Sequence, residues 1–127
     1  MRYGIIMVIG SLLFFSQAAW AEYRYYPLAQ PVLTHYHSAS GKLRYLRVST
    51  TLMYTEKDDK ERIEQHLPLI RDSLITVIRD KSAHQIERRD AKKILERESL
   101  QQLSETFAQY KVPFPIEQVL FTQYHYQ

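Results

Sequence analysis

The chain has 127 residues, 45% hydrophobic and 24% charged, which suits one folded domain and excludes a disordered chain. Seventeen basic residues against fourteen acidic leave a net charge of only +3, and the two signs interleave through the middle of the sequence, so nucleic acid is not an expected partner. Cysteine is absent, which excludes disulfides, thiolate metal sites and cysteine nucleophiles.

Residues 1–21 carry the three parts of a secretory signal peptide. Arg2 gives a positive start, residues 5–15 form an apolar run, and Ala19-Trp20-Ala21 reads as an A-x-A processing site. Cleavage is expected between Ala21 and Glu22. A short retained membrane anchor is the alternative. Ser16 and Gln17 interrupt that span, and residues 3–21 reach only the lower limit for crossing a bilayer, roughly 17 residues. Either reading places the remainder outside the cytoplasm.

Residues 22–42 read as a tyrosine-rich arm, with Pro27 and Pro31, feeding a short edge strand at residues 31–36. Residues 38–42, SASGK, have turn chemistry. Residues 43–55 alternate as a strand: Leu46, Val48, Thr50, Leu52 and Tyr54 on one face, Tyr45, Arg47, Ser49 and Thr51 on the other.

A helix is predicted from Glu56, where Thr55 and Asp58 approximate a capping box and Glu56, Asp58 and Asp59 suit a helix N-terminus. Its apolar stripe is Ile63, Leu67, Ile70, Leu74, Val77 and Ile78. The stripe stays in phase across Pro68, which predicts a kink near Gln65 and His66 rather than a break. SAHQ, residues 82–85, is a second capping box. Asp90 is placed to cap a longer helix reaching about Tyr110, with Ile94, Leu95, Leu103, Phe107 and Tyr110 as its buried side.

KVPFP, residues 111–115, stops that helix. Residues 116–127 form a last strand with Val119, Phe121 and Gln123 opposed to Leu120, Thr122 and Tyr124. The order strand, strand, helix, helix, strand defines an α+β fold with a small mixed sheet. The last strand is expected beside the long one and parallel to it, after a right-handed crossover.

After the leader only Gly41 remains, so no phosphate-cradling loop or dinucleotide fingerprint can be written. His35 and His37, two residues apart on a strand, share one side and could begin a metal site with His125. No further ligand is identifiable, and exposed or tyrosine-packed histidines are the plainer reading. Serines and threonines fall at strands, turns and caps, and carboxylates fall on wet helix faces, so no catalytic group and no cofactor are expected. Arg24, Arg44 and Arg47, with Lys42, make residues 22–47 basic against Glu22 alone. This suits contact with anionic headgroups or an acidic protein surface, and equally the covering of a strand edge.

At LRYLRVSTTLMY, PLIRDSLITVI and VLFTQYHYQ the chain resembles the periplasmic domain of the FliL family of flagellar basal-body proteins, from about Tyr26 to Gln127. The family's Y-L-K/R-V strand matches Tyr45, Leu46, Arg47 and Val48. Its proline-containing helix with an I-R-D segment matches Pro68 with Ile70, Arg71 and Asp72, and its V-L-F-T strand matches Val119, Leu120, Phe121 and Thr122. Ala91 stands where the family usually has glycine.

The resemblance implies a stomatin-like periplasmic domain over residues 43–127 with no enzymatic activity. It implies a homo-oligomer at the inner-membrane surface that associates with the motor stator and supports rotation, swimming and swarming, and in some bacteria switching. It also implies a single membrane span, where this chain has a signal-like leader, as a divergent or second copy would. The alternative is a soluble periplasmic binding module for a metal, a lipid headgroup or an envelope protein away from flagella.

Overall fold

A computed structural model describes residues 22–127. The leader, including Arg2, Ala19, Trp20 and Ala21, lies outside the described residues. The elements in chain order are β1 (Arg24–Pro27), β2 (Val32–His37), β3 (Leu43–Tyr54), α1 (Asp59–Gln65), α2 (Leu67–Arg79), α3 (Ala83–Glu87), α4 (Ala91–Gln109) and β4 (Gln118–Tyr126).

β3 is the centre of a four-stranded sheet. On one edge it pairs with β1 along its C-terminal third and with β2 along its N-terminal half, and on the other edge with β4. β1 and β2 therefore lie end to end, interrupted by residues 28–31. Lys42 and Ser38 close the β2–β3 turn through a 2.8 Å backbone bond, with Gly41 at φ +81°, a left-handed conformation that favours glycine.

The alternation in β3 decides what is inside. Leu46, Val48 and Leu52 are wholly buried, with Thr50 and Tyr54 nearly so. Against them pack Ile63, Ile70, Leu74 and Ile78 from α1 and α2, and Leu95, Leu103 and Phe107 from α4. Each such side chain contributes about 1.5–3 kcal/mol by leaving water. Leu67 and Val77 of the expected stripe are half-buried at its margins.

The helix meant to kink is broken. α1 ends at Gln65 and α2 begins at Leu67, with His66 between them at φ −120°, ψ 20°. Pro68 has no N–H to give to Glu64, and its ring crowds that carbonyl. Starting a new helix puts the proline in the first turn, where a missing donor costs nothing. The phase of the stripe survives because the break consumes one residue.

The Ser82–Gln85 capping box forms, with bonds of 3.3 and 2.9 Å. Asp90 occupies the N-cap of α4 without a capping bond, its carboxylate turned instead to Arg88. Tyr110, expected inside, is 62% exposed. The helix has already ended at Gln109, and Lys111 turns the chain at φ 56°.

β4 runs antiparallel to β3, and all four strands pair antiparallel, so the sheet is not mixed. α2 and α4 are the cause. His66 meets Phe107, Ser73 meets Thr106 and Lys81 meets Glu98, so the two long helices form an antiparallel hairpin. Three reversals instead of the two of a single crossover bring the chain back antiparallel to β3.

A bulge between Ser49 and Thr50 also shifts the register of β4, where Ser49 faces Gln123 but Thr50 faces Phe121. Thr122 is the extra residue. It moves Tyr124 to the core side, stacked on Phe121 with centroids 6.4 Å apart, while Gln123 is exposed.

Candidate partner interface

The helices cover one face of the sheet and, among the described residues, leave the other open to solvent over β2 and the N-terminal half of β3, whereas Met53 near its far end is buried. Alternation sends Tyr25, Leu33, His35, His37, Leu43, Tyr45 and Arg47 to the bare side. Leu33 is 66% exposed, Tyr25 57%, Leu43 50% and Tyr45 45%. Leu33, Leu43 and Tyr45 lie near one another across β2 and β3, and such exposed apolar side chains on one sheet face mark a candidate contact surface.

Register sets their grouping. Leu33, Arg47 and His125 form one row across three strands, and His35, Tyr45 and Gln127 form the next. A shallow hollow of about 440 Å³ lies among Leu33, Tyr45, Arg47, His125 and Gln127. None of the four strands contains an Asp or Glu. Arg47 has no ion-pair partner among the described residues. The face is apolar, aromatic and cationic, which complements an acidic protein surface.

His35 and His37 share this face, and His125 lies across β3 from both. Two strand spacings of about 4.8 Å, plus the offset along the strands, put it more than about 10 Å from either. Among the described residues no group of three or more His, Asp or Glu side chains is placed to hold a metal. The arginines also separate. Arg24 pairs opposite Tyr54 and Arg44 opposite Tyr36, both on the helix side, so only Arg47 reaches the bare face. Arg24 lies 3.7 Å from Glu22. The signal was in the sequence, since Arg44 shares parity with Leu46 and Arg47 with Tyr45.

Arg44 belongs to a cluster that sequence spacing does not reveal. It donates to Oε1 of Glu87, the last residue of α3, and the Tyr36 hydroxyl donates to the same oxygen at 2.8 Å. The Tyr124 hydroxyl donates to the carbonyl of Ile86 beside it. The Tyr36 bond and then the Arg44 bond hold the Glu87 carboxyl below its ordinary range. Burial, and next the bond to Glu87, raises the Tyr36 hydroxyl. Burial pushes Tyr124 up as well. Glu87 thus accepts from both donors and clasps α3 to β2 and β3.

No described helix is long and apolar enough to cross a membrane. A layer of helices over one face of a four-stranded antiparallel sheet defines an α+β domain. The chain belongs to the FliL family of flagellar basal body-associated proteins, whose model matches residues 25–127. That is a family of structural proteins, and membership ties the chain to the flagellar basal body. No curated protein matches it in sequence.

Proposed function

We propose that the protein is a non-enzymatic periplasmic component of the basal body that docks on the motor stator and supports rotation during swimming and swarming. The bare sheet face carries this reading: Leu33, Tyr45 and Arg47 stand exposed on a surface with no strand carboxylate, within a chain of the FliL family. An acidic face of a stator component is the complementary surface. The protein works as a homo-oligomer at the inner membrane, with the leader removed between Ala21 and Glu22. Residues 22–42 supply the arm and edge strand of the periplasmic unit, and residues 43–127 its helices and remaining strands.

Deleting the gene and measuring swimming and swarming at low and high viscosity tests the reading. Reduced motility, most severe at high viscosity, is expected. Unchanged motility at both viscosities contradicts it.

A further inference from the structure

The two edges of the sheet are built differently. The β1–β2 edge carries Pro27 and Pro31, and the Arg71 guanidinium donates to the Gln30 and Pro31 carbonyls at 3.0 and 3.2 Å. Prolines and an interruption are what keep an edge from pairing with foreign strands. β4 has nine residues, no proline, and only β3 as a strand neighbour among the described residues.

In the middle of β4 the Phe121 N–H donates to the Glu96 carboxylate of α4 at 2.8 Å. Glu96 stands where a neighbouring strand would present a carbonyl. Alternation along the strand turns the Val119 amide to the same outer side. Beside it lies a hollow of about 240 Å³, lined by Lys93, Glu96, Arg97, Leu100, Val119 and Leu120 among others.

Lys93 and Arg97 are exposed, four residues apart on α4, and have no carboxylate partner among the described residues. Like charges at that spacing repel. The first turn of α4 contains Lys92 and Lys93 and no acidic residue, although the helix dipole disfavours cations there. A repelling pair, cations at the wrong helix end and an unpaired strand edge coincide at one groove. An extended chain bearing carboxylates relieves all three.

We propose that the groove between α4 and β4 binds an extended acidic segment of a partner protein. The segment adds as a strand along residues 118–121 and sets its carboxylates against Lys93 and Arg97. Its backbone carbonyl takes the Phe121 N–H, and the released Glu96 turns to Lys92, one helical turn back. The bulge at Thr122 ends the added pairing. The groove shares no residue with the bare-face hollow, and the inference does not depend on the flagellar reading.

The test titrates the full chain, isotope-labelled for NMR, with an eight-residue peptide alternating glutamate and valine. A peptide alternating lysine and valine and vesicles of phosphatidylglycerol serve as comparators. The acidic peptide is expected to bind about tenfold more tightly than the basic one, to move the Phe121 amide resonance and to slow its exchange with solvent.

The double variant Lys93→Glu, Arg97→Glu, both at exposed positions, reverses the preference with thermal unfolding unchanged. Glu96→Ala uncovers the amide and tightens the acidic peptide several-fold, whereas a purely structural Glu96 would lower Tm and leave peptide affinity alone. Equal binding of the two peptides, binding of neither, a bound peptide with Phe121 unmoved, or binding to vesicles alone overturns the proposal. A Phe121 resonance that moves with protein concentration alone, the sign of β4 pairing with a second copy, also overturns it.

Discussion

Tyr36 and Glu87 are 51 residues apart in the chain, and the Tyr36 hydroxyl donates to the Glu87 carboxylate at 2.8 Å. Arg44 donates to the same oxygen. α3 has five residues, too few to be stable alone. These bonds, with Tyr124 on the Ile86 carbonyl, fix the link between α2 and α4 over the end of the sheet.

The clasp gives stability a defined pH dependence. The Tyr36 and Arg44 bonds hold Glu87 in the folded protein below its ordinary value of 4.5. Its contribution is therefore complete above that value and is lost as pH falls through the depressed one. Thermal melts should show wild type above Glu87→Gln at neutral pH and the two converging on acidification below about pH 4. A constant difference across that range would sink the idea.

Tyr124→Phe removes one hydroxyl and keeps the ring on Phe121. Losing the bond to the Ile86 carbonyl should cost about 1 kcal/mol. Urea denaturation should show a lower midpoint with an unchanged slope. A midpoint equal to wild type would mean that water replaces the bond at no cost.

Phe107 is fully buried, with His66 and Phe114 at centroid distances of 5.4 and 5.6 Å. It joins the α1–α2 break to the turn after α4. Phe107→Ala should cost about 3–5 kcal/mol, a large share of the roughly 5–15 kcal/mol typical of a domain. Calorimetry checks this, and a loss under about 1 kcal/mol would contradict a close-packed junction.

The bare face should behave in the opposite way. Leu33→Thr and Arg47→Glu change side chains that are exposed and, for Arg47, unpaired among the described residues. Threonine keeps the strand preference. Each should alter stability by less than about 0.5 kcal/mol in urea melts. A larger loss would mean that these residues serve the fold.

Periodicity made β3, α2 and α4 legible, because a two-residue or 3.6-residue pattern is written locally. β1 was not, since RYYP alternates weakly, ends in proline, and is a strand only because β3 supplies its partners. The direction of β4 depends on the pairing of α2 with α4, which no single segment carries. The break at His66 is hidden because a one-residue interruption preserves the apolar phase, and the bulge at Thr122 because an inserted residue shows only against its partner strand.

For the site, β3 alone placed Tyr45 and Arg47 together. Leu33 and His125 joined them through register, and grouping by composition obscured that Arg44 faces the other way. Glu87 looks like an ordinary wet helix residue because its partners lie 43 and 51 residues earlier.

The most direct test of docking through the bare face is swarming of a deletion strain complemented with the Leu33→Thr, Arg47→Glu double variant, at matched protein level and unchanged melting temperature. The variant should restore swarming far less than the wild-type gene, with the deficit growing as viscosity rises. Full restoration by a variant that folds normally would contradict the claim that this face meets the motor.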